Sequence, residues 1–171
     1  MDPGGSAPLL DSGPRGVYIA RMNLLDYTHA SGFLVRDGAT DLAGAVHDLV
    51  ETLAAAGDVS DPAGLVDEVL RRENAGSTAI GGGVVIPHAR FEGIDRLRIA
   101  VATLATPLEI PSEDGLPVDI VILLVGPADD PRQMLRVLAR LARQVRDEGF
   151  LDGMRAAGDA DSLRTALAAE S

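Results

Sequence analysis

Residues 118–125 read VDIVILLV, a run in which Asp119 is the one polar residue. A strand with one buried face and one solvent-exposed face would instead alternate between apolar and polar residues. An almost uninterrupted apolar run indicates a central strand that other elements cover on both faces. The run therefore predicts an α/β fold in which this strand lies inside a sheet, between layers of helices.

Further elements surround this run. Short apolar or β-branched segments indicate strands at residues 33–35, 84–86 and 97–104. Apolar residues at helical spacing indicate five helices, at residues 40–56, 61–73, 131–146, 148–156 and 161–169. We expect Thr40 to cap the first helix, Asp61 the second, and Asp161 or Ser162 the last. The alternation of strands and helices predicts a single domain with a largely buried sheet.

The 171 residues suit one domain, which we expect to span residues 22–170. Residues 1–16 hold three Pro, four Gly and two Ser, and we expect this segment to be a disordered tail. No apolar run reaches the roughly 18 residues that a membrane span requires. The N-terminus also lacks the pattern of a signal peptide, so the sequence favours a cytoplasmic protein without membrane insertion.

Composition excludes several kinds of chemistry. The chain has 15 basic and 26 acidic residues, a net charge of −11, which disfavours nucleic-acid binding. It has no Cys, which removes disulfides and thiol nucleophiles. All 15 basic residues are Arg, so Schiff-base lysines and the P-loop lysine are excluded as well. A nucleophile must therefore be a His, a hydroxyl group or a carboxylate.

Residues 72–90, RENAGSTAIGGGVVIPHAR, combine anion donors with one nucleophile. A Walker loop is excluded because Gly82 stands where Lys is required. The segment offers backbone N–H groups, hydroxyls and guanidinium groups to an oxyanion, from Gly81, Gly82, Gly83, Ser77, Thr78, Arg72 and Arg90. His88 lies among these donors, and a neutral imidazole offers a free lone pair that can act as a nucleophile. This combination suggests a phosphohistidine carrier, and a structural or merely exposed histidine at the end of a strand is the alternative that the residues alone leave open.

The same segment resembles the type-2 enzyme IIA family of the phosphoenolpyruvate-dependent sugar phosphotransferase system, which includes mannitol, fructose and nitrogen-regulatory members. The resemblance rests on Arg-Glu at a helix end, Gly-Ser-Thr, Ile-Gly-x-Gly and Ile-Pro-His, here at residues 72–73, 76–78, 80–83 and 86–88. It implies a central mixed sheet with helices on both faces. It also implies that His88 accepts a phosphoryl group from the carrier HPr and passes it to a cysteine of enzyme IIB. Arg72 would sit beside the phosphohistidine, and no cofactor or metal would be needed.

One residue departs from the family pattern. The family usually carries a second active-site histidine in a His-Leu-x-x-Leu run, and here residues 134–138 read MLRVL, with Met134 in the place of that histidine. Transfer is then slower, or Arg72 and the loop suffice, or the chain is a regulatory module that signals through phosphorylation-dependent binding. We expect Met134 to lie near His88, at the rim of the site, where the N-terminus of the late helix offers N–H groups to a phosphate.

The remaining candidates have simpler interpretations. We expect His29 to be an exposed loop residue and His47 to form a surface pair with Glu51. Three dispersed histidines do not predict a metal site. The late helix carries a row of arginines, which is a solvated face or a docking surface for an acidic partner: Arg132, Arg136, Arg140 and Arg143.

Overall fold

The computed structural model describes residues 22–169, in which six strands form one mixed sheet. The strands are β1 Thr28–Asp37, β2 Ala79–Gly81, β3 Val84–Val85, β4 His88–Phe91, β5 Arg98–Leu108 and β6 Val118–Pro127. The spatial order is β1-β5-β6-β3-β2, and β4 follows β3 along the same edge of β6. β6 is antiparallel to β5 and parallel to β3 and β4, while β1 is parallel to β5. The predicted tail at residues 1–16 lies outside the described residues.

Helices cover both faces of this sheet, as predicted. Their bounds are α1 Leu42–Ala55, α2 Pro62–Ala75, α3 Pro131–Gln144, α4 Glu148–Ala156 and α5 Ala160–Ala168. Alternate residues of β6 pack into two separate cores: one with α3, α4 and α5, the other with α1 and α2. All residues from 120 to 125 are fully buried. Burial on both faces explains the apolar run that this strand shows in the sequence.

Aspartates cap the helices, and two of the predicted caps are wrong. The cap of α1 is Asp41, not Thr40, because the Asp41 carboxylate accepts the Gly44 N–H at 2.7 Å. The cap of α5 is Asp159, whose carboxylate accepts the Ser162 N–H at 2.8 Å. Asp61 caps α2 as predicted. A capping side-chain oxygen accepts an N–H two or three residues further along the chain, so neighbouring Thr, Asp and Ser residues compete for the same position.

The strands differ most from the prediction where pairing is irregular. β1 is ten residues long, whereas its apolar part at residues 33–35 is short, and its register against β5 shifts twice. β2 lies inside the segment that the sequence suggests is a loop, and a second strand, β4, begins at His88. Such short edge strands carry little hydrophobic pattern, because their pairing comes from neighbours far away in the sequence.

The path of β6 separates the two ends of the predicted site. Gly83 accepts the N–H groups of Asp119 and Ile120 at the start of β6, whereas His88 pairs with Leu124 near its end. Five residues of extended strand span about 16 Å. The glycine loop and His88 are therefore held at opposite ends of this part of the sheet. Within residues 22–169, no helix is both long and apolar enough to cross a membrane.

Candidate functional site

His88 is held in one orientation by a bond to the backbone. It is the first residue of β4, and the carbonyl of the preceding Pro87 accepts the Leu124 N–H at 3.0 Å. Its ring Nδ1 lies 2.8 Å from the carbonyl oxygen of Ile86. A carbonyl oxygen only accepts, so Nδ1 must carry the hydrogen. In the neutral ring the lone pair then lies on Nε2, which makes Nε2 the nucleophilic atom.

A cavity of about 460 Å³ surrounds His88 between α2, β4 and α3. Its charged lining is predominantly basic, with Arg71, Arg72 and Arg90 against the single carboxylate of Glu68. Arg71 donates two hydrogen bonds to Glu68, at 2.6 and 3.0 Å, and these bonds lower the pKa of Glu68 and raise the pKa of Arg71. This pair balances its own charge, so Arg72 and Arg90 provide the excess positive charge beside His88.

Arg72 and Arg90 are anchored by neutral partners. Arg72 donates from one terminal nitrogen to the Gly76 carbonyl at 3.1 Å, and Arg90 donates to the Ala128 carbonyl at 2.9 Å. A guanidinium group has five N–H donors in a fixed plane, so each anchor uses only part of the group. Both side chains are thereby held in the cavity wall with donors that suit a phosphate or a carboxylate.

Met134 lines the same cavity as His88, in agreement with the expectation that the two lie close together. The expectation that it lies at the rim is wrong, because Met134 is only 5% exposed and belongs to the core formed with α3, α4 and α5. The first turn of α3 also offers fewer free backbone N–H groups to a phosphate than expected. Pro131 has no N–H group, and Asp130 accepts the Gln133 N–H at 3.4 Å.

The loop donors at residues 77–83 have other partners. Thr78 donates its N–H and its hydroxyl to the Glu73 carboxylate at 2.8 and 2.5 Å, and Ser77 accepts the Ala79 N–H. Gly82 donates its N–H to Asp114 at 2.7 Å. The structure therefore brings Arg72, Arg90 and Met134 to the cavity of His88, but Ser77, Thr78 and residues 81–83 are not among the residues that line it.

Two glycines of this loop line a separate cavity of about 400 Å³ at the other end of β6. There Arg155 donates from Nε and from a terminal nitrogen to the Asp119 carboxylate, at 2.7 and 2.8 Å, and also to the Gly82 carbonyl. The Asp119 contact raises the pKa of Arg155. The charge of Arg155 beside this loop is thus balanced by the Asp119 carboxylate within the protein.

Glu68, Arg71 and Leu135 are among the residues of the His88 cavity that sequence reasoning missed. The sequence of α2 does contain a signal for the ion pair, because Glu68 and Arg71 are three positions apart and residues at this spacing are neighbours on a helix. Leu135 is 64% exposed, which an apolar residue within a Leu-rich helix does not predict. Its exposure depends on where α3 lies against the sheet, and the sequence does not show this.

The other two histidines differ from each other. His47 is exposed on α1, with its ring 3.4 Å from Asp48 and 4.0 Å from Glu51, as expected for a surface pair. His29 is not an exposed loop residue: it belongs to β1, and its Nε2 lies 2.5 Å from the carboxylate of Asp58. Arg98 approaches the same carboxylate at 2.9 Å. Within residues 22–169, no group of three or more His, Asp or Glu side chains is arranged to hold a metal ion.

Known proteins with similar sequences and structures share this fold. Residues 32–170 match the family described as "Phosphoenolpyruvate-dependent sugar phosphotransferase system, EIIA 2". The chain belongs to this EIIA family. The match covers all six strands and five helices except for the first residues of β1.

Relatives of this EIIA chain include transport components and regulatory proteins. It is 33% identical over 148 residues to the PTS system 2-O-alpha-mannosyl-D-glycerate-specific EIIABC component of Escherichia coli, covering 85% of this chain and 22% of that protein. It is 39% identical over 100 residues to a nitrogen regulatory protein of Bradyrhizobium diazoefficiens, covering 58% of this chain and 65% of that protein. Among solved structures, nitrogen regulatory protein IIA-Ntr of Neisseria meningitidis has the same fold, with a TM-score of 0.76, 23% identity, and coverage of 83% and 97% of the two chains.

Proposed function

We propose that this EIIA chain is a phosphohistidine carrier that accepts a phosphoryl group on Nε2 of His88. The observation that carries the proposal is the 2.8 Å contact between Nδ1 and the Ile86 carbonyl, which leaves the lone pair on Nε2, in a cavity that Arg72 and Arg90 share. The family resemblance supplies the proposed donor, the phosphohistidine of HPr, and the proposed acceptor, a cysteine of enzyme IIB. The name of the EIIABC relative, which joins A, B and C units, supports an acceptor of the IIB kind.

Each transfer exchanges one bond to phosphorus for another. The Nε2 lone pair forms the new N–P bond while the N–P bond of the donor breaks, and the donor imidazole keeps that electron pair. In the second step a cysteine thiolate attacks phosphorus, and the electron pair of the broken N–P bond returns to Nε2. Such transfers depend on positioning and on charge neutralisation rather than on a strong acid or base. The Ile86 carbonyl would position the ring throughout.

Arg72 and Arg90 would neutralise the transferred group. A phosphoryl group on His88 introduces a negative charge of nearly −2. The two guanidinium groups in the same cavity carry a combined charge of +2, which balances it. The Arg71–Glu68 pair is already balanced and would contribute little. We propose no phosphate contact for residues 77–83, because the N–H groups of Thr78 and Gly82 already donate to Glu73 and Asp114.

A regulatory role is the second candidate. The observation that favours it is Met134, an apolar buried side chain in the place where the family usually has a second imidazole. The nitrogen regulatory relative from Bradyrhizobium points the same way. In this role His88 is phosphorylated as above, but the phosphorylation state controls partner binding and no phosphoryl group passes to a IIB cysteine.

Loading of His88 is tested by incubating the chain with phosphoenolpyruvate, enzyme I and HPr. We expect intact-mass analysis to show one acid-labile addition of about 80 Da. His88→Ala should show none, while His47→Ala, a matched change of an exposed histidine, should be loaded as the wild type. Persistent labelling of His88→Ala would overturn the assignment. Adding a IIB protein then separates the two candidates, because only the transport carrier loses its label to the IIB cysteine.

The nitrogen assignment has its own test. We expect ¹⁵N-resolved NMR spectra of the loaded protein to show phosphorus on Nε2 and hydrogen on Nδ1. Phosphorus on Nδ1 would mean that the bond to Ile86 breaks before transfer, and the positioning argument would then be wrong.

A further inference from the structure

Glu73 holds the turn that leads from α2 into the sheet, yet it is not among the residues that line the His88 cavity. It lies half-buried in the last turn of α2. Its carboxylate accepts the Thr78 N–H at 2.8 Å and the Thr78 hydroxyl at 2.5 Å. Its carbonyl accepts the Gly76 N–H at 3.1 Å, and the Gly76 carbonyl in turn anchors Arg72. The main chain and the side chain of Glu73 therefore both fix the turn that follows Arg72.

A carboxylate at this position is unfavourable for the helix itself. The last turn of a helix carries the negative end of its dipole, which favours basic side chains and disfavours acidic ones. The contacts to Thr78 supply the compensating stabilisation. Thr78 is only 9% exposed, so its N–H and hydroxyl would be costly to leave without a partner. A residue that breaks a local preference in order to make such contacts is typical of a functional site.

Hydrogen bonds connect Thr78 to the His88 ring through a single residue, Ile86. The Thr78 carbonyl accepts the Ile86 N–H at 3.2 Å, at the open end of the hairpin that β2 and β3 form. The Ile86 carbonyl lies 2.8 Å from Nδ1 of His88. Ile86 is 3% exposed, so its backbone groups are held inside the protein. The position of the carbonyl that orients the ring therefore depends on Thr78, which Glu73 holds.

We propose that Glu73 is a positioning residue for phosphoryl transfer: its bonds to Thr78 keep the hydrogen of the neutral His88 ring on Nδ1. The inference rests on the proposed function and adds to it a residue outside the cavity, with the Ile86 carbonyl as the link. A ring with its hydrogen on Nε2 has no lone pair there and cannot attack phosphorus until that hydrogen moves. The rate of loading therefore follows the fraction of rings in the correct tautomer and orientation.

Four variants separate the hydrogen bonds of Glu73 from its charge and from the stability of the hairpin. Glu73→Ala removes both contacts to Thr78, and Thr78→Val removes only the one made by the hydroxyl. Glu73→Gln removes the charge but keeps an oxygen for the Thr78 N–H and an NH2 group for the hydroxyl oxygen. Asp114→Ala is the matched control, because the Asp114 carboxylate accepts the Gly82 N–H at 2.7 Å and holds the other end of the same hairpin.

Two measurements are made on each variant. ¹⁵N NMR of the His88 ring in the unphosphorylated protein, at mildly alkaline pH, reports which nitrogen carries the hydrogen and needs no phosphoryl donor. Single-turnover loading over a series of phosphorylated HPr concentrations gives the maximal rate and the HPr concentration at half that rate. A loss of positioning lowers the maximal rate, whereas a loss of donor binding raises the half-saturating concentration.

We expect Glu73→Ala to move part of the ring hydrogen to Nε2 and to lower the maximal rate about tenfold. The half-saturating concentration of HPr should change by less than about twofold. Thr78→Val should shift both readouts in the same direction by a smaller amount, and it decides the matter if Glu73→Ala does not fold. Glu73→Gln and Asp114→Ala should keep the wild-type tautomer and maximal rate, even where Asp114→Ala lowers the melting temperature.

Three results would overturn the positioning role. The first is a wild-type tautomer and rate in Glu73→Ala, and the second is an equal loss in Asp114→Ala, which would tie the effect to hairpin stability. The third is a Glu73→Gln variant as slow as Glu73→Ala, since charge and not hydrogen bonding would then act on transfer. Absence of loading in the wild type would instead overturn the proposed function, and the tautomer comparison would still decide whether Glu73 orients the ring.

Discussion

The two ends of β6 each hold a cavity with arginine in its wall, and the partners of those arginines differ. At the start of β6, Arg155 faces the Asp119 carboxylate with two donors and the Gly82 carbonyl with one of them. Near the end of β6, Arg72 and Arg90 donate to the carbonyls of Gly76 and Ala128. One end is charge-matched within the protein, while the other keeps an excess of positive charge beside His88.

This difference separates the groups that hold the fold from those available to a ligand. A guanidinium group that is paired with a carboxylate has little left for a phosphate, and an N–H group that donates to Asp114 cannot also donate to a ligand. Arginines held by neutral carbonyls keep their charge and several donors. The glycine loop, which looks like a phosphate cradle in the sequence, belongs to the matched end. We therefore predict that changes at the matched end, around Arg155 and Asp119, lower stability without slowing transfer. Changes at the His88 end should alter phosphoryl transfer.

The largest expected effect is at Gly83, at the matched end. Gly83 has a φ of 77°, and an added Cβ would lie 2.6 Å from an Arg155 nitrogen and 2.8 Å from an Asp119 oxygen. The Arg155 and Asp119 atoms are side-chain ends that can move, whereas the Pro117 carbonyl oxygen, 3.1 Å from the added Cβ, belongs to the backbone. We expect Gly83→Ala to lower the free energy of unfolding by about 3–4 kcal/mol, through backbone strain, displacement of the ion pair and the approach to this carbonyl. Denaturant unfolding measures the loss, and the folded fraction should still be loaded on His88.

Gly115 provides the matched control for Gly83. It has a φ of 68°, but an added Cβ would meet nothing within 4 Å. Gly115→Ala should therefore lose only about 1 kcal/mol, the contribution of backbone strain alone. Equal losses in the two variants would show that Arg155 and Asp119 do not constrain the loop.

The next effect concerns Met134 at the His88 end. Because Met134 is 5% exposed, Met134→His places a polar ring in the core, and we expect a loss of about 2–4 kcal/mol of stability. We also expect faster phosphoryl transfer or a longer-lived phosphohistidine, since the new imidazole reaches the cavity of His88. Met134→Leu is the control, with a loss below about 1.5 kcal/mol. Unfolding curves and label decay are the two measurements, and unaltered transfer in folded Met134→His would mean that a second imidazole is not limiting.

A paired substitution tests the comparison most directly. Arg72→Lys keeps the charge but loses the planar fork, and we expect transfer to fall at least about tenfold, or about 1.4 kcal/mol of barrier, with little change in stability. Arg155→Lys makes the same chemical change at the matched end and should lower stability by about 1 kcal/mol without slowing transfer. Quenched phosphoryl-transfer assays give the transfer rate of each variant, and thermal unfolding gives the stability of each. Slow transfer in Arg155→Lys would show that the two ends are coupled.

The smallest effect is a dependence on pH at the matched end. Hydrogen bonds from the N–H groups of Gly82 and Leu116 lower the pKa of Asp114 below its ordinary value. Its carboxylate therefore stabilises the fold above the unfolded-state pKa, and this contribution is lost as the pH falls through the lower folded-state pKa. The melting temperature of the wild type should fall toward that of Asp114→Asn in the acid range. Parallel pH profiles for the two proteins would contradict this role.

Much of the architecture was predictable because its signals are local. The VDIVILLV run indicated a strand buried on both faces, and helical spacing located all five helices to within a few residues. The short motif around His88 indicated the family that the match of residues 32–170 confirms. By contrast, β2 and β4 were not predicted, because their short sequences, AIG and HARF, lack the run of apolar β-branched residues that indicates β3.

The sequence by itself determined the composition of the site: one histidine, arginines without lysine, and a methionine in the place of a second histidine. Only the tertiary structure decided which donors face that histidine. Residues 81–83 and His88 are neighbours in the chain, yet the extended path along β6 separates them by about 16 Å. Arg72 and Met134 are 62 positions apart in sequence number but meet in one cavity. Sheet pairing and helix packing join residues that are distant in the chain, and a local pattern contains no record of those contacts.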